Sequence, residues 1–574
     1  MRLSTVRIIT GISCLFFGAA AWRVGSHSST FSAEAQTAKA TASAPAQAAQ
    51  LHSVSVTTAK PANIPDPKSI AAPGTEIYTA KRGESIPTVA HRYLSRTSYL
   101  TSSELAAAIR AVNQKSDTSN ILKANENIII PGILPGSITE KTIPIPKDFE
   151  VRAIYLTGFM AGSDHGLRII RHWREVGGNS VVFDIKDSDG SVTIAYEHPL
   201  LGQHPVYLHD VPKFVHFLHQ ENMHAIARIA IFRDERLVVQ HPELAVQSRK
   251  NKQAWRENGK LVWTDPSNPT VQDYNIALAK HVAQLGVDEI QFDYVRFPAE
   301  GDQKDAAFVF QNGQEANQPE PATAATNADP GCAMDAAPAA APEGQKNAAH
   351  GVSRGADGKS DPAPKGRKTK ANTGCSAIAA KPRGPQRTDV ITGFLKKAYA
   401  ELHPTGVLLS LDVFGVMAWQ RQVDLSHTGQ DIVGMAHYCD VLSPMIYPSH
   451  FFGMDNIAHP GDEPAHFIGE SMDRFELITK GSGVVIRPWL QAFHWRTKTY
   501  SPEYIKVQVE TAKEKGGIGF LFWNAANDYS KPYDAMPEMK AANAKEKDKF
   551  FRGDELPVAT VKASLTPAPV TAAP

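Results

Sequence analysis

From about residue 148 to 532, short apolar runs alternate with segments whose apolar positions recur every three or four residues. The apolar runs are VRAIYLTGF, SVVFDIKD, HAIARIAIF, VDEIQFDYVRFP, GVLLSLDVFGVM, DVLSPMIYPSHF, VVIRPWLQAF and GIGFLFWNAAN. Between them lie the amphipathic stretches DHGLRIIRHWREVG, DVPKFVHFLHQEN, NPTVQDYNIALAKHVAQLG, TDVITGFLKKAYAELH, DIVGMAHYC, SMDRFELITKGSG and SPEYIKVQVETAKEKG. Continuous apolar strands separated by helices predict a parallel sheet covered by helices. Eight such units predict an α/β chain folded as a (β/α)8 TIM barrel. A doubly wound sheet shares this alternation, because strand order is not readable from the pattern.

The pattern changes elsewhere. Residues 75–135 predict a small β-α-α-β unit: EIYTAKRGESIPTVAHRYL enters a helix after a turn at Gly83, with Ser85 as N-cap. A second helix follows from Glu104 to Val112, and ENIIIPG forms the closing strand. Residues 36–74 are rich in Ala, Ser, Thr, Pro and Gln, too poor in large apolar groups to offset ordering entropy, and read as a linker. Residues 301–386 read as a low-complexity, disordered insertion after the fourth barrel strand, and 533–574 as a C-terminal tail. Residues 1–35 begin with a basic stretch and an uncharged apolar run, Ile8 to Trp22. That run is short for a spanning helix of roughly 20 residues, so a signal peptide is expected, with a retained membrane anchor as the alternative. Either predicts export to the periplasm, cell envelope or extracellular space.

Composition narrows the partners. Sixty basic residues face 59 acidic ones, a net charge of +1, which gives no support to a nucleic-acid surface. Of four cysteines, Cys14 lies in the N-terminal apolar run, and Cys332 and Cys375 share the insertion and could pair in an oxidising compartment. Cys439 sits in an apolar stretch and reads as a small core residue. No fixed ligand spacing argues for a metal.

In a TIM barrel the C-terminal ends of the strands face the active site. Strand two brings Asp184, Lys186 and Asp187, strand three Arg228, and strand four Asp293 and Arg296. Strand five brings Asp412, strand six Tyr447 and His450, strand seven Trp489, Gln491 and His494, and strand eight Trp523 and Asn524. A buried carboxylate costs several kcal/mol unless paired or functional. Carboxylates gathered with aromatic rings point to glycosidic-bond cleavage, in which one carboxyl protonates the leaving oxygen and another attacks or activates water. That chemistry needs no cofactor. Asp293, Asp412, Asp184 and Asp187 are the catalytic candidates. Arg228, Arg296, Lys186, Tyr447, His450, Trp489, Gln491, His494, Trp523 and Asn524 are the substrate-binding candidates. Strand alternation puts Asp184 and Lys186 on one face, where they would pair. Each residue also has a structural reading as a core ion pair or packing group, with Arg296 the expected partner of Asp293.

The strand motifs, with WTDPSNP and LDVFG, resemble a glycoside hydrolase family with an amylase-like barrel, once catalogued as a domain of unknown function. The resemblance implies glycosidic-bond hydrolysis without naming the sugar. It places a nucleophile at Asp293 and an acid/base at Asp412, where the broader group usually carries Glu. Residues 75–135 resemble a LysM domain through Tyr78, Gly83-Glu84-Ser85, Ile86, Val89-Ala90, Asn113 and Ile128-Ile129-Ile130-Pro131. Glu84 stands where that family usually has Asp, and Asn125 where it has Gly. This resemblance implies binding of N-acetylglucosamine-containing glycans such as peptidoglycan. The expectation is an exported hydrolase of an envelope or extracellular polysaccharide. A non-catalytic glycan-binding protein and a metal-dependent hydrolase on the same scaffold are the rivals.

Overall fold

The structure is a computed structural model that describes residues 74–312 and 384–545. The apolar N-terminal run, the linker, Cys14, Cys332, Cys375, most of the insertion and the end of the tail lie outside the described residues.

The N-terminal unit has the expected order. Strands Thr75–Thr79 and Asn127–Pro131 pair antiparallel around helices Ile86–Tyr93 and Ser102–Val112. Ser85 caps the first helix by accepting the Thr88 N–H at 3.3 Å, and Thr101 caps the second by accepting that of Glu104 at 3.2 Å. Asn125 adopts φ +65°, a left-handed conformation that Asn tolerates better than most residues and Gly adopts freely. Ile86, Val89, Leu105, Ile109, Ile128 and Ile130 form a separate small core.

Eight parallel strands close into a barrel: Val151–Leu156, Ser180–Lys186, His224–Ala230, Glu289–Asp293, Leu408–Phe414, Val441–Met445, the split seventh strand Val485–Ile486 and Trp489–Gln491, and Gly519–Trp523. They are numbered one to eight below. Strand eight pairs with strand one, Gly519 opposite Val151, and strand five with strand six, so the circuit is continuous. Gly519 has φ +79° and lies so close to the Val151 backbone that a Cβ would collide with it. Outside the strands, alternate residues such as Ile154, Leu156, Phe183 and Ile229 pack on the helices. Helix Asp164–Val176 buries Leu167, Ile170 and Trp173 there, each contributing about 1.5–3 kcal/mol. Inside, Val151, Ala153, Val182, Ile226 and Leu521 fill the barrel, and the layer above them holds Tyr155, Tyr447 and Trp489.

The N-terminal end of the barrel is closed by charge pairs. Arg487 Nη1 contacts both Glu289 oxygens at 2.9 Å, and His224 Nε2 lies 3.0 Å from the same carboxylate. His219 bridges Asp288 and Glu140 at 3.0 and 3.2 Å. Burial works against charge in both groups but is outweighed. Arg487 and His224 lower Glu289 to about 2, and Asp288 and Glu140 raise His219 to about 9. Charge at this end of a TIM barrel serves stability.

Two boundaries differ from the sequence expectation. The insertion does not begin at 301: Ala306–Ala307 pairs antiparallel with Gln247–Ser248, and Phe308 is buried beside Phe297 at 4.9 Å, with the Arg387 guanidinium over its ring. The apolar FVF segment, Phe308 to Phe310, is what orders this stretch. Nor does the barrel end at 532, because helix Ser530–Lys545 is its eighth outer helix and buries Ala535, Met536 and Met539. Pro537 inside that helix disguised it as tail.

Candidate active site

Arg228 is the hub of the strand ends. It points into the barrel from strand three and is 2% exposed. Its Nη1 donates to Asp184 Oδ1 at 2.5 Å. Its Nη2 and Nε donate to Asp293 Oδ2 at 2.6 and 3.2 Å. The same Nε lies 3.9 Å from Asp412 Oδ2. Three strands therefore bring three carboxylates to one guanidinium, whose planar fork holds several oxygens in fixed geometry. Its ring-facing side lies over Tyr155 at 5.6 Å and Trp523 at 5.4 Å.

The carboxylates differ in environment. Asp184 is fully buried and has both oxygens engaged, one by Arg228 and the other by the Tyr155 hydroxyl. Burial raises it to about 7, against the pull of Arg228 and with a push from nearby Asp187. Asp412 Oδ1 accepts the Trp489 Nε1–H at 2.6 Å and the Gln291 side-chain N–H at 2.8 Å. Burial first, and then the Asp293 charge, raise Asp412 well above the usual carboxylate range. Asp293 keeps 10% of its side chain exposed, against 1% for Asp412 and none for Asp184. Its Oδ1 accepts the N–H of Tyr294 at 2.6 Å. Tyr294 has φ +53°, a strained conformation for an aromatic residue, held where the backbone orients the Asp293 carboxylate.

Aromatic rings wall the cluster. Trp523 stacks on Tyr155 with centroids 4.1 Å apart and meets Trp489 edge-on at 5.7 Å. Tyr447 is buried in the inner cluster with Trp489, and burial first, then the charges of Asp412 and Asp293, raise its hydroxyl well above the usual phenol range. His450 touches Tyr447, Phe493 and Trp495, and burial in this cluster with the nearby Arg496 charge lowers it to about 4.

Several candidates go elsewhere. Lys186 does not share a face with Asp184: the pairing of strands two and three shifts between these residues, and this irregularity turns Lys186 outward. There it pairs with Asp234 at 2.7 Å and donates to Asn275 at 2.9 Å. Arg296 is not the partner of Asp293. Its guanidinium lies between the rings of Trp263 and Phe414, at 4.5 and 4.6 Å, and donates to the Phe297 carbonyl. Trp489, 1% exposed, offers an N–H to Asp412 rather than a face to a sugar. Gln491 ties loops together, accepting the Ser449 N–H and donating to the carbonyls of Phe493 and Trp495. Asn524 donates to the carbonyls of Ala492 and Asp528. His494 lies parallel to Tyr500 and within 3.2 Å of the Thr497 carbonyl. Asp187 starts the turn after strand two, partly exposed, and acts on Asp184 through its charge.

Tyr155 and Gln291 belong to the cluster and were not singled out in the sequence. Alternation carries the signal for both: Tyr155 follows Val151 and Ala153 on the inner face of strand one, and Gln291 precedes Asp293 by two. Among the described residues no group of three or more His, Cys, Asp or Glu is arranged to hold a metal ion.

A closed parallel barrel with carboxylates, a guanidinium and tryptophans at its C-terminal end has the parts of a glycosidase. The chain belongs to the DUF4015 family, described as "Putative glycosyl hydrolase domain", whose model matches residues 153–529. It is a glycoside hydrolase. No curated protein matches it. Among solved structures it is similar to a hypothetical protein from Ruminiclostridium thermocellum, at 38% identity and a TM-score of 0.25, over 27% of this chain and 80% of that one. It is also similar to the PgaB (BpsB) glycoside hydrolase domain from Bordetella bronchiseptica, at 13% identity and a TM-score of 0.44, over 68% of this chain and 99% of that one. The spore cortex-lytic enzyme SleL of Bacillus megaterium matches at 11% identity with a TM-score of 0.34, over 80% of this chain and 85% of that one.

Proposed function

We propose that this glycoside hydrolase is exported, is held on the cell wall by its LysM-like N-terminal unit, and cuts an envelope or extracellular polysaccharide, with peptidoglycan the first substrate to test. The observation that carries the catalytic assignment is the contrast between Asp293 and Asp412 around Arg228. Distances of 3.2 and 3.9 Å from the shared Nε cap the separation of the two Oδ2 atoms at 7.1 Å. Retaining glycosidases place their carboxyls about 5–5.5 Å apart and inverting ones about 6.5–9.5 Å, so this ceiling admits the retaining spacing and only the short end of the inverting one.

The roles divide by environment. Burial and the neighbouring Asp293 charge raise Asp412 well above the usual carboxylate range, which makes it the carboxyl of the pair suited to donate a proton. Both N–H donors occupy its Oδ1, leaving Oδ2 to carry that proton to the glycosidic oxygen. Asp293, the most accessible carboxylate of the three, attacks the anomeric carbon or activates a water. Asp184 acts through Arg228, whose other side it anchors, and is a positioning residue. Trp523 and Tyr447 border the sugar.

Support for wall attachment comes from the N-terminal unit's element order and the residues that match LysM domains. In that unit Glu84 accepts from Tyr78 at 2.6 Å and from Arg92 at 2.7 Å, fixing the turn after its first strand. The apolar N-terminal run supports export, and a membrane contact would require that run to be retained. The test is reducing-end release from purified peptidoglycan and other bacterial glycans by wild type and Asp293→Asn, with wall pull-down alongside. Wall binding without release by either form would replace this reading with a non-catalytic binder.

A further inference from the structure

Two pockets lie away from the carboxylate cluster. The larger, 750 Å³, is lined by Tyr196 to Pro199 and Leu201 to His204 in the loop after strand two. Tyr196 packs there against His281 of the outer helix Pro269–Ala283, so this pocket sits on the barrel's flank. The smaller, 380 Å³, is built by the loops that follow strands six and seven, on the catalytic face. Ser449, Phe452, His459, Asp462, Arg496, Thr497 and Lys498 line it.

The smaller pocket is connected to the catalytic cluster by contacts already described. Tyr447 packs in the same inner cluster as Trp489, which donates to Asp412; His450 packs on Tyr447 at 5.4 Å, and Trp495 packs on His450 at 4.7 Å. Arg496 comes next. Its guanidinium lies over Phe452 at 4.1 Å and Trp495 at 4.6 Å, and its backbone is in the left-handed region, φ +49°. An Arg is strained there. Gly461 packs against the Arg496 carbonyl too closely to admit a Cβ, which holds the two loops together.

The charges in the pocket do not balance. Asp462 is its one carboxylate, and Lys498 uses both oxygens: the Lys498 N–H donates to Oδ1 at 2.6 Å and Nζ lies 3.5 Å from Oδ2. Arg496 forms no ion pair among the described residues. Beside it, the Thr497 hydroxyl oxygen is buried with no hydrogen-bond partner among them. A strained, exposed guanidinium held on two rings, next to an unanswered hydroxyl, is a preformed receptor for an anion of carboxylate geometry.

We propose that this pocket is a subsite for a carboxylate carried by the glycan, with Arg496 as its cation and Thr497 as a further donor. It makes the substrate an acidic polysaccharide. The inference rests on the reading that the barrel's catalytic face takes the glycan, and it adds the charge of the substrate. Two sources supply such a group: a lactyl ether on an amino sugar, or the carboxyl of a uronic acid.

The test is calorimetric binding to the full chain carrying Asp293→Asn, which on the catalytic reading slows turnover at least about a hundredfold. Two matched pairs separate the sources: chitobiose against N-acetylglucosaminyl-N-acetylmuramic acid, and cellobiose against cellobiouronic acid. The acidic member of at least one pair should bind about tenfold or more tightly than its neutral partner, with the gap narrowing at high salt. Arg496→Ala should erase the gap, Arg496→Lys should retain part of it, and both should leave neutral-sugar affinity unchanged. Equal binding within both pairs, no binding of any of the four, or a preference that survives Arg496→Ala overturns the proposal. Reducing-end release by wild type, measured separately, reports on the hydrolase reading itself. Release without acid preference sinks only the subsite, and acid preference without release sinks only the wall-hydrolase reading.

Discussion

Replacing Arg228 with Met tests the hub directly. Met has a similar reach and no charge, so the substitution leaves Asp184 and Asp293 facing each other across the position of the lost cation. Removing one member of a buried ion pair is destabilising by about 3–5 kcal/mol, because the remaining charge loses its compensation. The loss should depend on pH. Asp184 already titrates at about 7 in the native barrel, and Arg228 is among the influences that lower it. Removing that influence moves Asp184 higher still. A carboxyl with a native value raised above its unfolded value binds more protons when folded, so stability falls as pH rises through the interval between them. At pH 5 Asp184 is protonated with or without Arg228, and the deficit comes from Asp293 alone, which keeps 10% of its side chain exposed: about 1–3 kcal/mol for an acceptor that loses its donors. At pH 8.5 the full deficit of about 3–5 kcal/mol should appear. Urea denaturation followed by tryptophan fluorescence at the two pH values measures it, given equal m values for both forms. A deficit under about 1 kcal/mol at pH 8.5, or one larger at pH 5, refutes the reasoning.

Three further predictions follow from named contacts. Trp489→Phe removes an N–H that lowers Asp412, so the basic limb of the pH–rate profile should move to higher pH; an unmoved limb would take Asp412 out of the acid role. His219, raised to about 9, contributes stability that is complete below its unfolded value near 6.5 and lost as pH rises through about 9. His219→Gln should therefore flatten the fall of the urea midpoint between pH 7 and 9.5, and an unchanged slope would contradict the assignment. Lys186→Met, which leaves Asp234 buried without its cation, should lower stability by about 3–5 kcal/mol with kcat unchanged at permissive temperature. A selective loss of kcat would return Lys186 to the active site.

The sequence pattern carried the barrel because each strand is a continuous apolar run and each outer helix a periodic one. Where that pattern is interrupted, ordered elements are hidden. Pro537 hid the eighth outer helix, and the neighbouring low-complexity chain hid the ordered segment through Phe308. Their places near the C-terminal ends of the strands put Asp184, Arg228, Asp293 and Asp412 at one end, and the structure joins all four; among these, period-two alternation bears on strand two alone. It failed at Lys186, since a strand irregularity resets the alternation locally and leaves no mark in a single sequence. Partner choice was also illegible: Asp293 is followed closely by Arg296 in the chain, yet its cation comes from strand three. Residues such as Gln491 and Asn524 look like ligands in a list of polar strand ends. Only the positions of the neighbouring carbonyls show that they brace loops.

Hydrolysis of a glycan by the Asp293–Asp412 pair is the proposal on which the other assignments depend. Reducing-end release from purified peptidoglycan, by wild type, Asp293→Asn and Asp412→Asn under identical conditions, tests it most directly. The account predicts release by wild type and a fall of at least about a hundredfold in both variants, the loss expected when a positioned acid or base is removed. Release that survives either substitution would contradict it.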